Sequence, residues 1–242
     1  MYNPEALSSS LSVVILAGGL GTRLREVIVD RPKVLALVGG RPFIYYLLDQ
    51  INDAGIRKVI LCTGYLGEMV REELGDGYRQ LDLSYSQEET PKGTAGSLRL
   101  ALPLIPTETV LVMNGDSFCR IDLQEFWNFH QKNGSSATIA LTYVKDTGRY
   151  GKVDFDEAGK IKKFVEKAET LGAGWVSAGI YLISKAQIAT IPTGKPVSIE
   201  KETFPSWVKS GLYAWCSKTD FIDIGTPESY GQADAHFAGE RV

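Results

Sequence analysis

The stretch LAGGLGTRL, from Leu16 to Leu24, places three glycines and an arginine directly behind a short apolar run. Glycines after a strand let backbone N–H groups approach an anion closely, because no Cβ intervenes and left-handed dihedral angles cost little. Arg23 adds a fixed positive charge within the same turn. The types and spacing of these residues therefore favour a phosphate-binding loop.

Two well-known phosphate loops have a different spacing. A Walker loop requires G-x-x-x-x-G-K-[ST], whereas Gly21 is followed here by Thr22-Arg23. A dinucleotide fingerprint requires a glycine three residues after Gly21, where this chain has Leu24. A plain tight turn would explain one or two glycines, but it explains neither the arginine nor the Pro32-Lys33 pair that follows.

The pattern of elements around this loop predicts an α/β fold. Short β-rich runs alternate with helical stretches up to residue 145, which is typical of βαβ units with a Rossmann-like, mostly parallel sheet flanked by helices. The predicted strands are 13–17, 58–63, 81–85, 109–113 and 138–144, and the predicted helices are 42–54, 65–74, 94–102 and 122–131. The first of these helices has Pro42 at its start and Gly55 after its end.

After residue 145 the pattern changes to a smaller β-rich layer. A hairpin is predicted around the turn 156–160, followed by strands 174–183 and 212–217, a helix from Ser198 and a last helix opened by Thr226-Pro227-Glu228. We expect one domain over 13–242, divided into 13–145, 146–220 and a returning strand and helix in 221–242. The polar, serine-rich residues 1–12 are expected to form a flexible tail.

Composition excludes several classes of partner and site. The formal charge of -3, with both signs interspersed, provides no basic face for nucleic acid. No stretch approaches the roughly 20 apolar residues of a membrane span, and no signal peptide is evident, so a cytoplasmic protein is expected. The three cysteines have neither CxxC pairing nor histidine neighbours at metal spacing.

Residues Ala17 to Leu24, followed by Arg31-Pro32-Lys33, resemble the signature of sugar-1-phosphate nucleotidyltransferases. The resemblance implies the nucleotide-diphospho-sugar transferase fold, with the glycine loop wrapped around the triphosphate of an NTP. It also implies that Arg23 and Lys33 are catalytic residues that neutralise phosphate charge. An arginine fork and a compact lysine ammonium both suit phosphate oxygens.

Further motifs of this family follow in order along the chain, and they imply the remaining site residues. The implied nucleotide-binding residues are Leu16, Ala17, Gly18, Gly19, Gly21, Thr22, Glu88, Gly93, Thr94, Ala95, Asn114 and Gly115. The implied sugar-phosphate-binding residues are Tyr150, Gly151, Glu166, Lys167, Ser177 and Gly179. The family often has asparagine where this chain has Ser177. The implied ligands of a Mg²⁺ cofactor are Asp116 and Asp223.

The implied reaction is attack by an oxygen of a sugar 1-phosphate on the α-phosphorus of an NTP, with loss of pyrophosphate. Both reactants are anionic, so the site should supply cations rather than a general base. A phosphate monoester has a second pKa of about 6 and is largely ionised already. The chain has only two histidines, His130 and His236, and both are predicted to be structural. Asp116 and Asp223 could share Mg²⁺ with phosphate oxygens and waters.

The expected nucleotide is GTP, because guanine presents N–H donors that an acceptor carboxylate from Gln87-Glu88-Glu89 could bind. The alternative interpretation of these residues is an exposed acidic loop, and uridylyl enzymes of the family also have glutamates before this loop. The stretches 113–118 and 221–225 resemble family members that use D-glycero-α-D-manno-heptose 1-phosphate. Mannose-specific members commonly carry a further C-terminal β-rich domain, whereas this sequence ends about fifteen residues after Pro227. The expected product is therefore a GDP-heptose for surface polysaccharide.

Two alternatives stay open at this point. One is uridylyl or thymidylyl transfer to a hexose or N-acetyl sugar 1-phosphate. The other is a non-catalytic homologue that senses nucleotide sugars, since a fold does not guarantee an activity. The joint presence of Arg23, Lys33, Asp116, Lys167 and Asp223 argues against the sensor. No oligomeric state is predicted.

Overall fold

A ten-stranded mixed sheet runs through the described part of the chain. The computed structural model describes residues 7, 9–19, 21, 24, 27–28, 30–165 and 172–237. The strands are β1 (Leu11–Leu16), β2 (Leu37–Val38), β3 (Arg41–Pro42), β4 (Lys58–Thr63), β5 (Gly77–Tyr78), β6 (Leu81–Gln87), β7 (Thr109–Asn114), β8 (Ser117–Cys119), β9 (Ala137–Val144), β10 (Lys152–Phe155), β11 (Ile161–Val165), β12 (Gly174–Ser184), β13 (Leu212–Ser217) and β14 (Phe221–Asp223).

Helices connect these strands and flank the sheet. They are α1 (Ile44–Asp53), α2 (Gly67–Leu74), α3 (Gly93–Ala101), α4 (Leu123–Lys132), α5 (Lys185–Ala189), α6 (Phe204–Trp207) and α7 (Pro227–Phe237). Short 3-10 turns cover Lys33–Leu35, Leu102–Leu104 and Val208–Ser210, and a π-helical turn covers Ile199–Thr203. Within the described residues, none of the helices is both long enough and apolar enough to cross a bilayer.

The centre of the sheet is parallel, as the alternation of strands and helices predicts. β7, β1, β4 and β6 lie side by side in parallel pairs. Val13, Val14 and Ile15 are fully buried, because helices cover both faces of the sheet. Leu16 at the end of β1 lies opposite Asn114 on one side and Cys62 on the other. The residues that follow these strands therefore meet at one edge of the sheet.

The predicted β-rich second half is confirmed, and it extends the same sheet. β10 and β11 form the predicted antiparallel hairpin, and β12 pairs antiparallel with β7, β9 and β10. The pairing of β12 with β9 shifts register between Ser177 and Tyr181. At this irregularity Gly179 has φ +74, and a Cβ there would stand 2.4 Å from Ser117 Oγ. Glycine thus lets β12 bend against the loop that contains the predicted metal ligand Asp116.

Three sequence-based boundaries need correction. β1 begins at Leu11, so Leu11 and Ser12 are buried and paired with β7 rather than part of a tail. Pro42 does not open a helix, because it pairs with Leu37 in the β2–β3 ribbon and α1 begins at Ile44. The helix predicted from Ser198 starts with the π-helical turn before it continues as α6.

Two apolar clusters stabilise the two faces of the sheet. Ile44, Leu47, Leu48 and Ile51 of α1 pack in the cluster on one face, together with Phe237 of α7. The other cluster contains residues of α3 and α6, including Ala95, Leu98 and Phe204. A sheet covered by helices on both faces is the doubly wound arrangement that the sequence predicts.

His130 belongs to the packing of α4, as predicted. Its side chain is buried, Nδ1 lies 2.8 Å from Thr138 Oγ1, and the ring stacks on Trp127. Burial lowers the pKa of His130 to about 4. The imidazole is therefore neutral in the folded chain across the physiological pH range.

This burial predicts an acid-sensitive contribution to stability. Between pH 6.5 and 4 the unfolded chain binds a proton at His130 while the folded chain does not, so stability is lost as pH falls through this window. From pH 7.5 to pH 5 we expect His130 to account for a loss of about 2 kcal/mol in the free energy of unfolding. Urea unfolding at both pH values measures this loss.

The matched variants are His130→Gln, which removes the titration and keeps a polar side chain, and His236→Gln as the control. The pH dependence should become shallower in His130→Gln and should be retained in His236→Gln. An unchanged pH dependence in His130→Gln would contradict the buried-histidine account.

Candidate active site

Two cavities open at the edge of the sheet where the parallel strands end, and they share a wall. The first, of about 380 Å³, is called the glycine cavity here. Its lining residues are Leu16, Ala17, Gly18, Gly19, Gly21, Lys33, Val34, Glu88, Pro91, Gly93, Thr94, Ser97, Asn114 and Asp116. The predicted nucleotide-binding segments are thus brought together from four separate parts of the chain.

The glycine loop lies close against the end of β6. A Cβ at Gly18 would stand 3.3 Å from Glu88 Oε1 and 3.3 Å from Gly64 N, so a larger residue would crowd this contact. Among the described residues, the amides of Gly18 and Gly19 have no hydrogen-bond partner. Bare amides on a glycine turn are suited to phosphate oxygens.

The two carboxylate oxygens of Glu88 contact different segments of the chain. Oε2 accepts hydrogen bonds from Ser97 Oγ at 2.5 Å and from Lys92 N at 3.2 Å. Oε1 lies beside Gly18 and Gly64 at the cavity wall. The same side chain therefore anchors the start of α3 and presents an acceptor beside the glycine loop. The sequence motifs do not predict the contribution of Ser97, although it follows the predicted Gly93-Thr94-Ala95 loop by two residues.

The second cavity, of about 570 Å³, is called the Asp223 cavity here. Its lining residues are Gly21, Lys33, Asn114, Asp116, Ser117, Arg149, Tyr150, Ser177, Gly179, Glu200, Phe221, Asp223, Gly225 and Thr226. Gly21, Lys33, Asn114 and Asp116 line both cavities. Two molecules, one bound in each cavity, would therefore contact each other at this shared wall.

Lys33 and Asp116 form the charged centre of the shared wall. Lys33 Nζ donates to Asp116 Oδ2 at 2.6 Å. The lysine side chain is 14% exposed and the aspartate side chain 45% exposed. The carboxylate therefore faces the cleft while most of the lysine is enclosed. Lys33 starts a 3-10 turn directly after Pro32, whose fixed φ suits that position.

Asp223 is brought to the same wall by the β8–β14 pair. Asp223 lies opposite Ser117 in this antiparallel pair, and Ile224 N donates to Asp116 O at 2.9 Å. Lys33 Nζ also lies 3.6 Å from the position of a Cβ at Gly225. The two predicted metal ligands, although far apart in sequence, are thus held close together, Asp223 on β14 and Asp116 directly before its partner strand β8.

Asp223 already has a full set of hydrogen-bond donors. Arg149 Nη2 donates to Oδ1 at 2.8 Å and to Oδ2 at 3.0 Å, and Gly225 N donates to Oδ1 at 2.8 Å. Ser229 Oγ lies 3.2 Å from Oδ1, and the hydroxyl of Tyr150 donates to Oδ2. Only 13% of the Asp223 side chain is exposed. The carboxylate is held in one orientation, with Arg149 as its counter-charge.

Tyr150 stays protonated in this setting. Burial raises its pKa well above the usual value, and the hydrogen bond to Asp223 raises it further. The sequence motifs do not predict Arg149 as a site residue. It directly precedes the Tyr150-Gly151 motif, but only the folded chain shows that its guanidinium reaches across to β14.

A buried tyrosine links the two sides of the shared wall. Tyr181 Oη donates to Glu200 Oε1 at 2.7 Å, and it lies 3.3 Å from Ser177 Oγ and 3.4 Å from Asn114 Nδ2. Burial keeps the pKa of Tyr181 well above its usual value, and the charge of Glu200 adds to this. Ser177 Oγ also accepts a hydrogen bond from Gly179 N at 3.2 Å. Glu200, which none of the sequence motifs includes, is therefore a residue of the Asp223 cavity.

Some predicted residues lie elsewhere. Ala95 is a buried residue of α3, and its amide donates to Val197 O. The amide of Gly115 donates a hydrogen bond to Leu16 O, and Gly115 is not among the residues that line the two cavities. Gly151 packs near Val165 O. Their predicted contacts with ligands stay predictions. Thr22, Arg23, Glu166 and Lys167 lie outside the described residues.

The donor set at the shared wall fits a magnesium ion better than a metal held by protein alone. Within the described ranges there is no cluster of three or more histidine, cysteine or acidic side chains that could hold a metal. Mg²⁺ commonly uses one or two carboxylates together with substrate phosphates and waters. Asp116 and Asp223 can supply two such carboxylates, with Asp116 the more accessible.

Comparison with known proteins is consistent with this arrangement. Residues 12–240 match the family model described as Nucleotidyl transferase. A mannose-1-phosphate guanylyltransferase of Mycobacterium tuberculosis is 36% identical over 93% of this chain, which spans only 64% of that relative's length. The D-glycero-alpha-D-manno-heptose 1-phosphate guanylyltransferase of Aneurinibacillus thermoaerophilus is 33% identical over 92% of this chain and 96% of its own.

A solved structure has the same fold over nearly all of its length. HddC from Yersinia pseudotuberculosis superposes with a TM-score of 0.83 at 35% identity, covering 93% of this chain and 99% of its own. HddC has also been solved in complex with GMP-PN. HddC therefore shares the overall fold described above.

Proposed function

This chain belongs to the nucleotidyl transferase family, and on that premise we propose that it transfers a guanylyl group from GTP to a sugar 1-phosphate. The products are a GDP-sugar and pyrophosphate. The proposed sugar is D-glycero-α-D-manno-heptose 1-phosphate. Support for this choice comes from the heptose-specific relative, of which the alignment covers 96%.

The observation that carries the proposal is the wall shared by the two cavities. The glycine cavity offers backbone amides and Lys33 to a triphosphate, and the Asp223 cavity lies directly beyond Lys33 and Asp116. A sugar 1-phosphate in the second cavity would therefore place its phosphate next to the α-phosphate of a nucleotide in the first. Positioning of this kind supplies much of the rate enhancement of phosphoryl transfer.

The site neutralises charge instead of removing a proton. Lys33 lies where both phosphates would meet, and its enclosed position strengthens its interaction with an anion. Neither histidine is among the lining residues of the two cavities in the described chain. Because the attacking phosphate is already ionised, this absence of a histidine suits the proposed reaction.

Mg²⁺ is the proposed cofactor, with Asp116 and Asp223 as its protein ligands. When bound, the ion would offset negative charge on the phosphates of both reactants. Arg149 donates to both oxygens of Asp223, so a cation binding there competes with the guanidinium. Tyr150 and Gly225 keep the carboxylate oriented while Arg149 is displaced.

Glu88 is the proposed acceptor for guanine. Its Oε1 lies at the wall of the glycine cavity, whereas Oε2 is held by Ser97 and by the Lys92 amide. A carboxylate held in this way can accept from the N–H donors on the pairing edge of guanine. Adenine would present an acceptor at the same edge and bind less well.

On the sugar side, Glu200, Ser177 and Tyr150 face the Asp223 cavity. Glu200 is oriented by Tyr181, so its second oxygen is available to sugar hydroxyls. Mannose 1-phosphate is a second candidate substrate, because the mycobacterial relative is named for it at 36% identity. Mannose and the heptose share a ring configuration and differ in their exocyclic chain.

The direct test of the proposed activity is release of pyrophosphate. Purified protein with Mg²⁺ should release pyrophosphate from GTP only when a sugar 1-phosphate is present. The panel contains GTP, ATP, CTP, UTP and dTTP, each with the heptose, mannose, glucose and N-acetylglucosamine 1-phosphates. We expect the highest kcat/KM with GTP and the heptose 1-phosphate.

The panel also separates the alternatives. Highest turnover with UTP or dTTP would replace the proposed base, and highest turnover with mannose 1-phosphate would replace the proposed sugar. If no pair of nucleotide and sugar 1-phosphate releases pyrophosphate although GTP binds, the protein is a nucleotide-binding homologue without transferase activity.

A single substitution tests the role of Glu88. Glu88→Gln should raise the KM for GTP about fivefold or more, because a specific hydrogen-bonded contact to a base contributes about 1–3 kcal/mol. The KM for ATP should change much less, because adenine does not use the lost acceptor. Steady-state kinetics with both nucleotides measures the difference.

The matched control is Glu89→Gln, which removes the same charge from the next, exposed residue. It should leave both KM values close to those of the unaltered chain. An equal rise for GTP and ATP in Glu88→Gln would mean that Glu88 only anchors α3 and does not select the base.

A further inference from the structure

A third cavity lies on the opposite side of α3 from the glycine cavity. It has a volume of about 410 Å³ and is formed between residues 90–103 and the loop 192–196. Three of its lining residues are cationic, namely Lys92, Arg99 and Lys195. We call it the basic cavity.

The positive charge of this cavity is uncompensated. None of its lining residues is acidic. Within the described chain, the side chains of Lys92, Arg99 and Lys195 have neither an ion pair nor a hydrogen-bond partner, and Arg99 Nε is buried without one. A buried N–H donor without a partner costs free energy that an anionic ligand could recover. Three converging cations stand out in a chain whose net charge is -3.

The walls between these charges are mainly apolar. Pro91, Leu100, Pro103 and Pro196 surround the opening, and Gly96 forms part of the floor. A free inorganic ion would leave this apolar surface uncovered. A ligand with a ring or other apolar body and an anionic end matches the cavity better.

We propose that the basic cavity is a binding site for a small phosphorylated molecule with an apolar or planar body. Its phosphate lies among Lys92, Arg99 and Lys195, where an arginine fork and two ammonium groups suit the phosphate oxygens. Its body packs against the proline-rich walls. The site is separate from both cavities of the proposed reaction.

The position of the cavity couples it to the glycine cavity. Pro91 lines both cavities, and the first turns of α3 present Gly93, Thr94 and Ser97 to one and Lys92, Gly96 and Arg99 to the other. The loop 192–196 is tied to α3 at its end, because Val197 N donates to Lys92 O and Ala95 N donates to Val197 O. A ligand that bridges α3 and this loop would change the rigidity of the segment that lines the glycine cavity. Its binding should therefore change the affinity for nucleotide.

The test of binding uses phenyl phosphate, which combines a planar apolar body with one phosphate. Isothermal titration calorimetry should show one site in the unaltered protein. Phenol, which lacks the charge, and inorganic phosphate, which lacks the body, should both bind at least about tenfold more weakly. Lys92→Gln/Arg99→Gln should weaken phenyl phosphate binding at least about tenfold, and Lys195→Gln should weaken it by a smaller factor.

Control variants show whether binding depends on this cavity or only on the overall charge of the protein. Lys132→Gln/Lys209→Gln removes the same charge from exposed lysines elsewhere and should not alter binding. Lys195→Gln changes an exposed loop side chain, so it tests the site even if the double variant folds poorly. The proposal is overturned if phenyl phosphate does not bind, if it binds all variants equally, or if Lys33→Gln alone abolishes binding.

The coupling is measured by titrating GTP in the absence of sugar 1-phosphate, with and without saturating phenyl phosphate. This part rests on the proposed binding of GTP. We expect the dissociation constant for GTP to change by about fivefold or more, the lower end of typical coupling between sites. If phenyl phosphate binds without changing the affinity for GTP, the proposed binding site is supported but its regulation of nucleotide binding is refuted. Failure of GTP to bind in either condition would instead refute the proposed function.

Discussion

The site depends on the pairing of two carboxylates, Asp116 and Asp223, with basic side chains. Asp223 is only 13% exposed, and a carboxylate in such a position without a partner would lose most of its hydration without compensation. Arg149 supplies that compensation for Asp223, and Lys33 supplies it for Asp116. The chain can therefore keep two acidic groups together at one wall without their mutual repulsion opening the cleft.

This charge balance is maintained by the backbone that forms the wall of the cleft. The β8–β14 pair brings Asp223 beside Ser117, and the bend of β12 at Gly179 brings that strand against the same loop. Tyr181, fully buried in β12, then connects Asn114 on the nucleotide side with Glu200 on the sugar side. These hydrogen bonds hold the side chains of Ser177, Tyr181 and Glu200 in defined orientations before any substrate arrives.

Much of this can be predicted from the sequence, because local patterns determine the strands and the glycine loop. The strands at 58–63 and 212–217 agree with prediction to the residue, and Asp122 caps α4 as expected for an aspartate at that position. The prediction for Pro42 is wrong because a proline suits both the first turn of a helix and a short edge strand. Arg149 and Glu200 escape prediction for a different reason. Arg149 contacts Asp223, which lies 74 positions away, and Glu200 contacts Tyr181, which lies 19 positions away. No local sequence pattern indicates contacts over such distances.

Arg149 and a divalent cation compete for Asp223 in the proposed site, and Mn²⁺ binding followed by electron paramagnetic resonance measures this competition. Arg149→Met should bind Mn²⁺ more tightly than the unaltered chain by about fivefold, equivalent to ~1 kcal/mol, the upper end of what a surface ion pair contributes. Lys209→Met should match the unaltered chain, and Asp223→Asn should bind more weakly than either. Equal or weaker Mn²⁺ binding by Arg149→Met would contradict the account.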